Sequence, residues 1–251
     1  WNLNYSFKLM YNILNNRIQC SKCPIRHRAI CAHCEEDELA LLEKIKSYHT
    51  YRANQPILWR GDTMPHFSSV VSGVASLTKS MEDGRTQMVG LLLPSDFIGR
   101  PGRSIVEFDV TATTDLTLCS FKREPFEELV RNIPHIAHRM VEMALDELDA
   151  AREWMVLLGR KTAQEKIASF LEMLARRSGH PDQSNHSVDL PLTRDEIANF
   201  LGLTLETVSR QMSAFRKNCI IEFLDRRHFR ILDMQALHLA TGDDADGSIL
   251  S

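Results

Sequence analysis

The strongest constraint on the fold is a change of sequence pattern near Glu124. From Tyr48 to Cys119 the chain is a series of short apolar runs, rich in Val, Thr and Phe, which Gly, Pro, Asp and Ser interrupt. Such runs, separated by turns at intervals of about 8–12 residues, are typical of an antiparallel sandwich or jelly roll. Asp83-Gly84 favours a hairpin turn between two runs. After Glu124 the pattern becomes helical, so we expect an α+β fold.

A long helix is predicted from about Ile133 to Leu158. Its small and apolar residues recur alternately four and three positions apart, a heptad pattern typical of a helix paired with a second copy of itself. The alternative is an amphipathic helix that packs on its own domain. The residues that would form the dimer seam are Val141, Ala144, Leu148, Ala151, Met155 and Leu158.

A winged helix-turn-helix is predicted in the C-terminal part of the chain. Thr193 can cap a first helix, with Glu196 three residues later as its capping-box partner. Gly202 would end this helix, and a second helix would start near Thr204 or Leu205. The following IIEFLDRRHFRIL has the pattern of a hairpin with a charged tip, which is the wing.

The outward face of the second helix suits DNA binding. Arg210 can bond guanine through two hydrogen bonds, Glu206 can accept from the amine of cytosine, and Ser209 can bond bases or phosphates. The alternative is an ordinary helical hairpin with a solvated charged face, but the cap, the Gly turn, the polar face and the wing occur together and in order. The further residues assigned to the DNA surface are Thr204, Ser213, Arg216 and Lys217.

Four of the six cysteines lie within the segment CSKCPIRHRAICAHC, residues 20–34. No run approaches the length of a membrane span and no signal sequence is recognisable, so we expect a cytoplasmic protein. In a reducing compartment, dense cysteines favour metal binding or redox chemistry over disulfides. Zinc could be bound by Cys20, Cys23, Cys31 and Cys34, with His27 or His33 as substitutes. A thiol switch without metal, favoured by Lys22, Arg26 and Arg28, is the other alternative.

Composition excludes little by itself. Hydrophobic and charged contents of 43% and 25% are ordinary for a globular protein, and the net charge of −3 gives no general sign of nucleic-acid binding. The sequence contains no Walker loop, no G-x-S-x-G, no H-E-x-x-H and no dinucleotide fingerprint. We therefore do not expect an enzyme. An iron–sulfur electron carrier would have no need of a recognition helix. For Cys219, just after that helix, we expect a small buried thiol.

The whole layout resembles the FNR/CRP family of bacterial transcription regulators. The N-terminal cysteines, the lone Cys119 and the motif LGLTLETVSRQ resemble the oxygen-responsive FNR branch, of the FnrN and FnrL type of alphaproteobacteria. The resemblance covers nearly all of residues 20–235. It implies a jelly-roll sensor domain, a long dimerisation helix and a C-terminal winged helix-turn-helix.

The resemblance also implies a cofactor and partners. An oxygen-labile [4Fe-4S] cluster would be held by Cys20, Cys23, Cys31 and Cys119, leaving Cys34 as a non-ligand. The homodimer would bind a palindromic TTGAT-N4-ATCAA site through Glu206, Ser209 and Arg210, and the hairpin from Met81 to Arg85 would touch RNA polymerase. Molecular oxygen would be the signal.

A cyclic nucleotide is not expected as effector. In the CRP branch of the family, an acidic residue that binds the ribose would follow Phe97-Ile98-Gly99, but here Arg100 follows, and SIVEFDVTATT offers no Arg for the phosphate. The expected domains are a cysteine-rich segment (1–35), the jelly roll (36–130), the dimerisation helix (131–160), the winged helix-turn-helix (161–238) and a flexible tail (239–251).

Overall fold

The computed structural model describes residues 18–177 and 187–243. Most of the expected tail (239–251) falls outside these residues. The described chain forms two compact units. The first contains the residues up to Met81 together with Val89–Leu145, and the second contains Glu82–Met88 and the residues from Asp146 onward.

The first unit is built on two four-stranded sheets, as expected from its short apolar runs. One sheet has the order β1-β8-β3-β6 and the other β2-β7-β4-β5. The strands are β1 (Lys46–Tyr51), β2 (Pro56–Leu58), β3 (His66–Ser72), β4 (Ala75–Ser80), β5 (Thr86–Leu92), β6 (Phe97–Ile98), β7 (Asp109–Ala112) and β8 (Leu116–Lys122). The turn between β4 and β5 contains Gly84, whose φ of 86° explains the glycine there.

Strand β8 is buried along six of its seven residues because both of its faces are covered. Leu116 and Leu118 pack in the core with Val110 and Ala112 of the other sheet. Cys119, one residue further, belongs to a second core on the opposite face of β8. Side chains alternate between the two faces along β8, so the Cys119 thiol lies on the outer face of the sheet, beneath the elements that cover that face.

That face is covered by the cysteine loop, which we define as residues 20–34, and by three helices. They are α1 (Glu36–Ile45), α2 (Arg123–Asn132) and α3 (Pro134–Arg160). Ile30 and Leu42 are each 1% exposed, and Phe126 and Ile136 are fully buried in the shared core. Burial of these apolar side chains favours packing of the cysteine loop onto the sheet.

The second unit contains the winged helix-turn-helix. Its elements are α4 (Ala163–Arg177), β9 (Ser187–Asp189), α5 (Arg194–Leu201), α6 (Leu205–Lys217), β10 (Ile221–Phe223), β11 (His228–Ile231) and α7 (Met234–Leu239). The wing is a three-stranded sheet of order β10-β11-β9, in which β9 extends the predicted hairpin by a strand. The predicted α+β fold, with a jelly roll, a long helix and a C-terminal winged helix-turn-helix, is confirmed. No helix in residues 18–177 or 187–243 is long and apolar enough to cross a membrane.

Candidate functional site

Four cysteines line one cavity between the cysteine loop and the outer face of β8. They are Cys20, Cys23, Cys31 and Cys119. Of the remaining cysteines in the described chain, Cys34 and Cys219 do not line it. The rest of the wall is formed mainly by apolar side chains from the loop, α1 and the sheet. Cys119 lies 88 positions after Cys31 in the sequence, since 119 − 31 = 88, and it lines the same cavity as the three loop thiols.

Local turns shape the cysteine loop. A 3₁₀ turn covers Cys20–Lys22, and the amide of Arg26 donates to the carbonyl of Cys23 at 3.1 Å. Ile25 and Ala29 are 5% and 1% exposed, so the loop turns its apolar side chains toward the sheet. Cys20 is buried in the same core, and Cys23 and Cys31 pack against it partly buried.

The end of α1 fixes the first cysteine. The backbone amide of Cys20 donates to the Glu43 carboxylate at 3.2 Å. Lys46, whose side chain is 1% exposed, donates to the carbonyl of Ile18 and pairs with Glu43 at 3.5 Å. A buried ammonium next to the cavity offsets negative charge that a thiolate at Cys20 would bring.

The sheet fixes the fourth cysteine. Cys119 lies opposite Tyr48 of β1 on one side and Ser69 of β3 on the other, and all three line the cavity. The Ser69 hydroxyl is buried and has no hydrogen-bond partner among the described residues. An unpartnered hydroxyl on a residue that lines the same cavity as four thiols is suited to donate to a sulfur atom there.

The four thiols influence one another electrostatically. Burial, followed by the charges of Cys23 and Cys20, raises the pKa of Cys31 to about 12. Burial also raises the pKa of Cys119, to which Cys23, Cys20 and Cys31 add. Thiols in such a site stay protonated unless a cation replaces the protons. The cavity is therefore a site that a positively charged metal centre would stabilise.

This donor set fits an iron–sulfur cluster. A [4Fe-4S] cluster is held by four thiolates, with one on each iron, so its ligands surround a volume instead of converging on a point. Within residues 18–177 and 187–243, no three His, Cys, Asp or Glu side chains converge as ligands of a single ion. Four thiols around an apolar cavity, with an unpartnered hydroxyl beside them, meet the requirement of the cluster.

Cys34 is held apart from this cavity. It is 3% exposed and packs in the shared core, and the Arg26 guanidinium donates to its carbonyl at 3.1 Å. Burial and the Glu38 carboxylate raise the pKa of its thiol to about 12. The all-cysteine zinc site would need Cys34 to turn toward the cavity.

The predicted dimer seam lies on α3. Val141, Leu148 and Met155 are 58%, 44% and 72% exposed in the single chain, and Leu158 is half-buried. Ala144 and Ala151 are also exposed. Apolar side chains at this spacing on one helix form a stripe, which is the arrangement that pairing with a second copy would bury.

The helix-turn-helix is built as its sequence predicts. The Thr193 hydroxyl accepts from the amide of Glu196 and the Glu196 carboxylate accepts from the amide of Thr193, which completes the capping box. Gly202 ends α5 in the left-handed conformation, with φ of 63°. Thr204 then caps α6 by accepting from the amide of Thr207.

The two faces of α6 separate as expected. Val208, Met212 and Phe215 are at most 2% exposed and hold the helix in the domain. Ser209 is half-buried and the other predicted DNA contacts are exposed. The exposed set consists of Thr204, Glu206, Arg210, Ser213, Arg216 and Lys217.

The wing tip is charged, as its sequence predicts. Arg226 and Arg227 are both exposed, and the Arg227 guanidinium donates to the carbonyl of Pro191 at 2.8 Å and so braces the wing. Cys219 is exposed with φ of 55°, and the expectation of a buried thiol was wrong. The turn after α6 directs its side chain outward, a feature that composition does not reveal.

Two domain profiles match the chain. The Crp-like helix-turn-helix domain matches residues 165–239 and the cyclic nucleotide-binding domain matches residues 48–132. The transcriptional activator protein FnrL of Cereibacter sphaeroides is 57% identical over 235 residues, which cover 92% of this chain and 95% of that protein. A probable transcriptional activator of Rhizobium leguminosarum is 39% identical and covers 88% of this chain and 92% of its own length.

Solved structures agree with these relatives. FixK2 of Bradyrhizobium japonicum has a TM-score of 0.71 and 31% identity, covering 80% of this chain and all of that one. A CooA variant of Carboxydothermus hydrogenoformans, with a TM-score of 0.64 and 24% identity, covers 80% of this chain and 90% of its own and shows the shared fold. The relatives are regulators, so the prediction that the chain is not an enzyme is confirmed. The chain belongs to the FNR branch of the FNR/CRP family of transcription regulators, with a helix-turn-helix as its DNA-binding domain.

Proposed function

We propose that this protein is an oxygen-responsive transcription activator whose signal is read by a [4Fe-4S] cluster at Cys20, Cys23, Cys31 and Cys119. The observation that carries the proposal is the cavity that these four thiols share. FnrL and the Rhizobium leguminosarum relative are named as activators, which supports the direction of control. Cys34 takes no part as a ligand.

Binding of a cluster by these four thiolates would connect the cysteine loop to the sheet. Cys20, Cys23 and Cys31 belong to a loop, whereas Cys119 belongs to the centre of a sheet. When bound, the cluster supplies a reaction with molecular oxygen that no side chain around the cavity provides. With all four thiolates engaged the loop is tied to β8. With the thiols protonated, only packing and hydrogen bonds hold the loop there.

DNA binding follows from dimerisation. The tied loop favours the state of α3 that pairs with a second copy, because ligand binding shifts a population toward the state it stabilises. A dimer then presents two copies of α6 to a palindrome of the TTGAT-N4-ATCAA kind. Glu206, Ser209 and Arg210 would read bases, while Arg216 and Lys217 would contact phosphates.

Two further partners complete the proposal. The turn from Met81 to Arg85 is exposed, and Arg85 is held by Asp83 at 2.7 Å, which leaves a compact charged tip suited to RNA polymerase. A cyclic nucleotide is not an effector, since Arg100 is exposed beside Gly99 in place of an acidic ribose ligand.

The test compares two cysteine substitutions. Cys119→Ser should lose the cluster and weaken anaerobic binding to the palindrome about 5- to 150-fold, the usual range of coupling between two sites. Cys34→Ala is the matched control, because this thiol is equally buried but lies outside the cavity, and it should retain iron, sulfide and binding. Normal anaerobic binding by Cys119→Ser would overturn the proposal. If Cys34→Ala loses its metal and its DNA binding, and the wild type contains zinc, the four-cysteine zinc site is favoured.

A further inference from the structure

An arginine–glutamate pair joins the cysteine loop to the long helix. Arg139 of α3 donates from one guanidinium nitrogen to the backbone carbonyl of Arg28 at 2.8 Å. Its other terminal nitrogen donates to the carboxylate of Glu142 at 2.9 Å. The same carboxylate oxygen lies 2.9 Å from the ring nitrogen Nε2 of His33. The helix thus contacts the loop on both sides of Cys31.

The burial of the pair differs from that of an ordinary surface ion pair. The Arg139 side chain is 17% exposed and that of Glu142 is 35% exposed. Exposed ion pairs contribute little because water competes for both partners, whereas a guanidinium bonded to a carbonyl and a carboxylate together is fixed in orientation. Hydrogen bonds to Arg139 and His33 lower the pKa of Glu142 to about 2, so the carboxylate stays charged near neutral pH.

The position of the pair on α3 connects it with the seam. Arg139 and Glu142 alternate along the helix with Ile136, Met140 and Met143, which pack against the loop core. Val141, the first seam residue, lies between Arg139 and Glu142 in sequence and is 58% exposed. One turn of a rigid helix therefore carries both the loop contacts and the start of the seam.

We propose that Arg139 and Glu142 form a latch that transmits the state of the cysteine loop to the dimer seam. The inference rests on the proposed function, and it assigns to this pair a positioning role, since neither side chain lines the cavity. When the four thiolates hold the loop on β8, the carbonyl of Arg28 and the ring of His33 are in place for the pair. The pair then fixes the turn of α3 from which Val141 projects.

A second contact between neighbouring elements serves as a contrast. His135 of α3 lies 2.9 Å from the Glu38 carboxylate of α1, so it joins two helices and does not touch the loop. Because neither partner belongs to the loop, this contact should not depend on the state of the loop. The latch differs because its two partners in the loop, Arg28 and His33, flank a cavity cysteine.

The test uses the same substitution at two arginines. Arg139→Lys keeps the charge but removes the fork that reaches two acceptors at once. Arg123→Lys is the control, because Arg123 pairs with Glu127 at 2.9 Å within α2, with side chains 19% and 24% exposed. Glu142→Gln provides a second variant, in which the amide oxygen can still accept and a smaller effect is expected.

Three quantities are measured for each variant: iron and sulfide per chain, the dimer dissociation constant with the cluster, and the same constant without it. Arg139→Lys should take up the cluster normally and leave the cluster-free constant unchanged. Its cluster-loaded dimer should be about tenfold weaker than the wild type, within the usual range of coupling energies. Arg123→Lys should match the wild type in all three.

The outcomes separate the latch from the proposed function. If loaded Arg139→Lys dimerises as tightly as the wild type, the latch is wrong. Failure of Arg139→Lys to take up the cluster also overturns it, because the pair would then support the ligands instead of transmitting their state. If Arg123→Lys weakens the cluster-loaded dimer as much as Arg139→Lys does, the effect reflects general stability and the latch is wrong. A wild type whose dimerisation does not depend on the cluster refutes the proposed function, and the latch with it.

Discussion

The recognition helix and the cysteine site are assembled in different ways. The helix α6 is a single run, Leu205–Lys217, that carries its own cap, its buried face and its exposed polar face. The cysteine site combines a loop, the end of α1 and the middle of β8, which are far apart in sequence. A local element can retain its function when the rest of the protein changes. A site assembled from distant elements can respond to a signal because any one of them can move.

This contrast predicts that the two regions communicate through the dimer seam, and the largest effect is expected there. Leu148→Glu places a charge on the stripe of α3, where pairing would bury it without a partner, at a cost of several kcal/mol. We expect normal iron and sulfide but at least about 100-fold weaker dimerisation and palindrome binding.

The control for this prediction is Ile105→Glu, since Ile105 is 51% exposed but lies off α3. It should dimerise normally by sedimentation equilibrium. If Leu148→Glu still forms a tight dimer, α3 pairs through another face, and the link between the two regions must be sought elsewhere.

The second effect should be confined to the recognition helix. Arg210→Ala removes a side chain expected to bond a guanine, with a loss of about 1–3 kcal/mol of discrimination. The affinity for the palindrome should fall while the affinity for unrelated DNA and the cluster content stay constant. Arg226→Ala, at the exposed wing tip, should instead weaken binding to all sequences equally and reduce its salt dependence. Equal losses on both DNAs for Arg210→Ala would contradict a base-reading role.

These two regions also differ in how much of them the sequence predicts. Thr193, Gly202 and the buried residues of α6 are local signals, since caps and helical periodicity extend over a few residues. The four cavity cysteines could be identified as a ligand set only through the family resemblance, because their spacing alone also allowed Cys34 as a ligand. Their shared cavity is the observation on which the proposed cluster rests.

Other parts of the site depended on tertiary contacts. Tyr48 and Ser69 reach the cavity because the register of β1 and β3 places them opposite Cys119, and register is a long-range property. Buried Lys46 was missed because lysine is rarely buried without a partner, and its partners, Glu43 and the carbonyl of Ile18, come together only in the fold. The third wing strand was missed for the same reason.

A third, smaller effect tests whether the helix-turn-helix is stabilised locally. Thr193→Ala removes the hydroxyl that caps α5 and should lower the free energy of unfolding by about 1 kcal/mol. The change should appear in urea denaturation of the C-terminal transition, with cluster content unaffected. Thr193→Ser should restore most of the loss. A large loss of cluster in Thr193→Ala would show that the two regions are less independent than their construction implies.

The smallest effect concerns pH at the contact between α1 and α3. A hydrogen bond to Glu38, followed by the charge of Glu38, raises the pKa of His135. A histidine whose pKa is raised in the folded protein contributes stability through its charged form. This stability is fully present below the ordinary histidine pKa of about 6.5 and is lost as the pH rises through the raised pKa of the folded protein. The Tm of His135→Gln should thus fall below that of the wild type by a few degrees at most in mild acid and match it in alkali. A difference that grows with pH would contradict this pairing.

The central claim is that four thiols, including the distant Cys119, hold one oxygen-labile cluster. The most direct measurement is anaerobic purification with iron, sulfide and zinc assayed per chain, and an absorption spectrum before and after air. The account predicts about four irons and four sulfides per chain, with a broad visible band that bleaches in air. One zinc and no iron would contradict it and would leave a DNA-binding regulator whose N-terminal cysteines form a structural zinc site.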